Sequence, residues 1–123
     1  MANTLGDMSM INSREKGKRG ERDVVKVLRS HGYSEARRGV QYHGGPDSPD
    51  VVGVPGYHFE VKWTKRTDMY GWIAQAKKDC GGNVPIVVHK KDGEEWLVIM
   101  TLEDFLDGID QQRKSNSVAE VAD

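Results

Sequence analysis

The sequence has a single cysteine among its 123 residues, Cys80, so no intrachain disulfide can brace it. It has no apolar run near the roughly 20 residues that a membrane-spanning helix needs. Its first ten residues, MANTLGDMSM, have neither a basic lead nor an apolar stretch, so no secretory signal is expected. Zinc-finger spacing, an aromatic RNA-recognition pattern and a clear helix-turn-helix are all missing, which removes the common base-reading modules. There is no internal repeat and no long linker. Net charge is only −1, so no overall excess of one sign points to a polyanionic partner.

The distribution of charge says more. Residues 1–66 hold 12 Lys/Arg against 8 Asp/Glu, and residues 67–123 hold 6 against 11. A basic half and an acidic half can give one chain a cationic face despite its neutral total. The length suits one domain with one core, expected over 13–109. Residues 1–12 and the tail 110–123 show no periodicity and are expected to be flexible.

Spacing of apolar residues predicts a helix from Ser13, its cap, to Ser30, with Val24, Val25 and Leu28 facing the core. Extending that stripe back by one turn reaches Glu21, a carboxylate that is costly there unless satisfied. Gly17 and Gly20 weaken this helix but allow close approach of another segment. A short strand, 34–38, and a Gly-rich loop holding His43 and Asp47 follow. Asp50 to Val54 reads as a strand, and Pro55-Gly56 suits the centre of a type II turn. Tyr57 to Trp63 alternates, with Tyr57, Phe59, Val61 and Trp63 on one face and His58, Glu60 and Lys62 on the other. A second helix, 70–80, directs Trp72, Ile73, Ala76 and Cys80 to the core. A hairpin, 84–89 with 96–100, precedes a last short helix whose Leu102, Phe105, Leu106 and Ile109 are expected to pack inward. The order is α-β-β-β-α-β-β-α, an α/β (α+β) domain with a mixed sheet flanked by helices.

Glu60 and Lys62, two residues apart on one strand face, are either a surface ion pair or a site. The site reading gives Glu60 a hard cation and Lys62 a developing negative charge. Asp50 can share that cation only if the hairpin register allows it. In a strict two-residue turn Glu60 pairs with Val51, and Asp50 points to the opposite face. One extra residue, or a bulge, sets Asp50 opposite Glu60. The metal reading therefore predicts a bulge or a three-residue turn.

Pro49-Asp50, nine residues, then Glu60-Val61-Lys62 resembles the PD-(D/E)xK nuclease signature. With Gly17-x-x-x-Glu21 upstream and the α-β-β-β-α-β order, residues 14–106 resemble archaeal-type Holliday junction resolvases and their phage and bacterial relatives. The resemblance implies a restriction-endonuclease-like core and a Mg²⁺-dependent DNA endonuclease, with Mn²⁺ able to substitute. The alternatives are a general or restriction-like DNA-processing nuclease, or an inactive DNA-binding module. It implies Glu21, Asp50, Glu60 and Lys62 as catalytic residues, and Asp50, Glu60, the Val61 carbonyl and Glu21 as metal ligands. Gln75 is an accessory candidate. Asp47 competes with Asp50, and His43 and His58 are candidates better explained as surface histidines. Lys16, Lys18, Arg19, Arg37, Arg38, Lys65 and Arg66 flank the site as expected phosphate contacts. Branched or four-way-junction DNA is the implied substrate, a homodimer the implied assembly, and the cytoplasm of a bacterial or phage-infected cell the implied place. Trp63, Trp72 and the 84–100 hairpin are candidates for the dimer surface.

Overall fold

The computed structural model describes residues 4–39 and 49–122, and the side chains of 13–39 and 49–117. His43 and Asp47 lie outside the described residues. The elements run α1 (Thr4–Ser30), β1 (Arg37–Arg38), β2 (Val51–Val52), β3 (Tyr57–Trp63), α2 (Met69–Asp79), β4 (Val84–Lys90), β5 (Leu97–Ile99) and α3 (Leu102–Ala122). The expected order holds. The strands form one mixed sheet in the order β1-β2-β3-β4-β5, with only β3 and β4 parallel. A parallel pair needs a crossover, and α2 supplies it. Mixed strands flanked by helices are consistent with a restriction-endonuclease-like fold.

One face of the sheet carries the apolar core. Phe59, Val61, Ile86 and Val88 alternate along β3 and β4 and meet Val24 and Val25 of α1, with Leu28 beside them. Gly20 brings α1 close: a Cβ there would lie 3.1 Å from the Trp96 ring and 3.4 Å from Val61. On the other face Ala76 of α2 is fully buried, and the Trp72 ring sits 5.0 Å from that of His89. Both faces of the central strands are thus covered, so the polar face of β3 is not the open surface its alternation suggests.

Several boundaries differ from the sequence reading: β2 covers Val51–Val52 rather than 50–54, and three other elements differ as follows. α1 begins at Thr4, so Ser13 lies within the helix rather than capping it. β1 is shorter than expected, because Tyr33 to Ala36 form a turn closed by the Ala36 amide on the Tyr33 carbonyl at 3.0 Å. α3 continues helical to Ala122, through the segment read as an unpatterned tail.

The expectation for the last helix is overturned. Leu102, Phe105, Leu106 and Ile109 do not pack inward; they are 41–68% exposed, and none joins the core. The Thr101 hydroxyl accepts the Asp104 amide at 3.1 Å and starts the helix. Its opposite side, Asp104, Asp107, Gly108 and Gln111, faces Pro55, Gly56, Tyr57 and Val84 across a gap.

Candidate active site

The β2–β3 hairpin decides where Asp50 goes. Val51 pairs with Phe59, so the next residue back, Asp50, stands opposite Glu60. This is the register that the metal reading requires. Its origin is local. The Tyr57 amide reaches the Val54 carbonyl at 3.3 Å, and Gly56 has φ +87°, as the third residue of a type II turn does. Gly53, at φ +96°, adds the extra residue before that turn. A side chain at Gly53 would also run into the Glu35 carbonyl oxygen. Glycine is needed there for both reasons.

Asp50 is held by its backbone from both sides. Its amide donates to the Phe59 carbonyl and its carbonyl accepts the Gly39 amide, each at 2.9 Å. Its carboxylate accepts the Val61 amide at 2.8 Å. A strand residue's amide and carbonyl point to the same edge, so the Val61 carbonyl shares the edge Asp50 occupies. Asp50, Glu60 and the Val61 carbonyl thus lie together.

The carboxylates are electrostatically uncomfortable. Burial and the neighbouring Glu60 push the Asp50 carboxyl up to about 6, although the Val61 amide and Lys62 pull the other way. Burial also raises Glu60 and Glu21, and each feels another carboxylate of the group. Glu21, on α1, is brought near but is committed to Arg38, whose Nε lies 2.9 Å from its carboxylate. Lys62 is the cation of the cluster, and its charge lowers both Asp50 and Glu60.

His58 was read as a surface residue, and the structure corrects that. It is 3% exposed, and its Nε2 lies 2.7 Å from Glu60 Oε1. Burial lowers its pKa, which favours the neutral ring. A neutral ring meeting an ionised carboxylate must carry its proton on Nε2. His58 therefore fixes one oxygen of Glu60. Asp79 of α2 was not anticipated; its charge acts on both His58 and Glu60. Gln75 donates to Asp79 at 2.9 Å and is exposed, so it reaches the cluster only through that residue.

A hard divalent cation fits this donor set. Crowded carboxylates with raised pKa values and a backbone carbonyl are oxygen ligands that a cation would relieve of mutual repulsion. Among the described residues no three His, Cys, Asp or Glu side chains form a cage, so the set suits an ion that keeps waters or phosphate oxygens.

The basic residues divide. Lys16 is tied to Asp92 at 2.8 Å, Arg37 to the Glu35 carbonyl and Arg38 to Glu21. Arg19 lies over the Trp63 ring at 5.6 Å, while Lys18, Lys65 and Arg66 are exposed. A stripe was missed. Arg19, Arg22, Lys26 and Arg29 recur along one side of α1 and, with Arg38, line a groove of about 610 Å³. Its spacing of three, four and three residues was readable as a helical face.

A family model described as "Phage putative PDDEXK endonuclease" matches residues 12–122. Protein D14 of Escherichia phage T5 is 27% identical over 124 aligned residues, covering 76% of this chain and 74% of that protein. No solved structure matches.

Proposed function

The chain belongs to the phage PDDEXK endonuclease family, and we propose that it is a divalent-metal-dependent DNA endonuclease selective for branched DNA, with the four-way junction as its substrate. The observation that carries the reading is the Asp50–Glu60 juxtaposition created by the Gly53 register. Asp50, Glu60 and the Val61 carbonyl would hold the cation, Mg²⁺ or in its place Mn²⁺, with Glu21 as a further carboxylate of the site. When bound, that ion supplies Lewis-acid stabilisation of a phosphoryl group and lowers the pKa of attacking water.

The remaining chemistry belongs to the chain. A water oxygen bonds to phosphorus and gives its proton to solvent, the bond to the leaving sugar oxygen breaks and that oxygen takes a proton from solvent, and negative charge grows on the phosphoryl oxygens on the way. Lys62, on the same strand face as Glu60, offsets that charge. His58 holds Glu60 in orientation through its Oε1 oxygen. The α1 stripe and the exposed Lys18, Lys65 and Arg66 take backbone phosphates, which position DNA without reading sequence. The lack of a base-reading element among the described residues supports recognition by shape. No described helix is long and apolar enough to cross a membrane, and the cytoplasm of the host cell is the proposed place of action.

The test compares four-way junction, splayed duplex and linear duplex, with Mg²⁺, Mn²⁺ or EDTA. Preferential cutting of the junction, lost in EDTA, is expected. Equal cutting of linear duplex removes the junction preference and leaves a general DNA-processing nuclease. Cutting that survives EDTA removes the metal.

A further inference from the structure

Arg38 stands between the two parts of the site that the fold brings together. Its Nε lies 2.9 Å from the Glu21 carboxylate. The same side chain lines the basic groove beside Arg19, Arg22, Lys26 and Arg29. The residue after it, Gly39, donates its amide to the Asp50 carbonyl. One guanidinium therefore borders both the carboxylate cluster and the α1 groove. Among the described residues it is the groove cation that forms an ion pair. Its partner needs a cation. The Glu21 side chain is only 17% exposed. Burial raises its carboxyl, Arg38 lowers it, and Asp50 raises it again. Glu21 in turn adds to the charge that Glu60 feels.

We infer that Arg38 is a phosphate ligand of the groove that Glu21 holds back until a divalent cation takes that carboxylate, so that cation binding and DNA binding strengthen each other. Charge is the first argument. While the pair is closed, the Arg38 charge is offset by Glu21, and a phosphate entering the groove meets a carboxylate next to the guanidinium. Once Glu21 serves a cation, the Arg38 charge is available, and its planar fork suits phosphate oxygens. Reach is the second. Arg38 already lines the groove, so a turn of its own side chain is enough. Its backbone stays where β1 pairs with β2, with Arg38 opposite Val51. The third is that the exchange serves the carboxylates as well. A cation beside Asp50 and Glu60 relieves their repulsion from Glu21, which the single charge of Arg38 leaves with a raised pKa. Coupling of this kind is reciprocal: whatever the cation adds to DNA affinity, DNA adds to cation affinity. The free, metal-less protein then holds DNA weakly, and the groove tightens as the site becomes able to cut.

The inference rests on the nuclease reading for its two ligands, DNA and a divalent cation, but not on the junction preference. Two binding measurements on the full chain test it without any cleavage. The first is DNA affinity in EDTA, by fluorescence anisotropy. Glu21→Gln should bind about fivefold tighter than wild type. Its slope of log affinity against log salt should steepen by about 0.9, as one added phosphate contact requires. Adding Arg38→Gln should remove that gain. The second is Mn²⁺ affinity without DNA, by calorimetry. Arg38→Gln should bind Mn²⁺ about fivefold tighter, because Glu21 loses its competing partner. In the Glu21→Gln background the same change should give no gain. A merely structural ion pair predicts the opposite sign, since breaking it would loosen both ligands. DNA binding by Glu21→Gln that is no tighter than wild type, or a gain that persists without Arg38, overturns the inference and leaves the nuclease reading intact. So does Mn²⁺ affinity that Arg38→Gln leaves unchanged or lowers. A wild-type chain that binds neither DNA nor Mn²⁺ overturns the nuclease reading, and this inference falls with it.

Discussion

Replacing Asp50 by Asn should make the metal-free protein more stable while ending cleavage. The Asn side-chain carbonyl can still accept the Val61 amide, so shape and that hydrogen bond survive. What disappears is a carboxylate held at about 6 instead of its ordinary 3.8. Ionising such a group costs the folded state about 3 kcal/mol, and relaxation around the site should reduce this to roughly 1–2 kcal/mol. For a domain of this size that corresponds to a rise of about 4–8 °C in Tm. The sign is fixed by linkage. The folded-state pKa lies above the unfolded one, so the folded protein binds more protons between them and loses stability as pH rises through this window. The Asn variant's advantage should therefore be full above about pH 6 and fade as pH falls toward 3.8. Thermal denaturation in EDTA at about pH 8 and about pH 4 measures both ends. Added Mg²⁺ or Mn²⁺ should raise the Tm of wild type more than that of the variant, because only the former keeps both carboxylates. A variant less stable than wild type at pH about 8, or a gain equal at both ends, would refute the electrostatic argument.

Lys62→Ala should cut the cleavage rate about 10²–10³-fold, with junction binding measured by gel shift largely retained. Gly53→Ala should destabilise by about 2 kcal/mol or more, because the position needs a positive φ and abuts the Glu35 carbonyl, and cleavage should fall with it; chemical denaturation and a nuclease assay report the two losses. His58→Ala should weaken Mn²⁺ binding, read by calorimetry, about tenfold, whereas His58→Gln should recover part of it by donating to Glu60. Arg22→Ala with Lys26→Ala should lower DNA affinity and reduce the slope of log affinity against log salt by about 2, without changing thermal stability.

Element order and the core of α1 were legible because both rest on periodicity. Val24, Val25, Phe59 and Val61 bury as their spacing requires. The register of the hairpin was legible only as a condition. A Pro-Gly pair announces the turn, but whether Gly53 joins it depends on a neighbour, Glu35, that lies far away in sequence. His58 escaped because alternation identifies a polar face without saying whether a helix covers it; α2 does so here. α3 failed for a related reason. An apolar stripe marks one face of a helix, and nothing in the stripe says that the core packs against it. The groove cations Arg22, Lys26 and Arg29 share a helical face by their spacing, but they lie away from the motif in sequence, and only the fold brings Arg38 beside them.

The candidate site is built on backbone contacts rather than on attraction between its side chains. Asp50 is set by two main-chain hydrogen bonds and by the Val61 amide, and the turn that sets its register needs Gly53 beneath the Glu35 carbonyl. The segment holding Glu35 continues directly into β1, where Arg38 pairs with Glu21 of α1. The hairpin, β1 and α1 are therefore coupled: moving the turn moves Asp50 away from Glu60 and shifts Arg38 relative to Glu21 together. That coupling explains how three carboxylates with raised pKa values can be kept close in the folded chain. Their burial, and with it their repulsion, acts against a frame that the core holds, so it is expressed as proton affinity, and as affinity for any cation, instead of as separation.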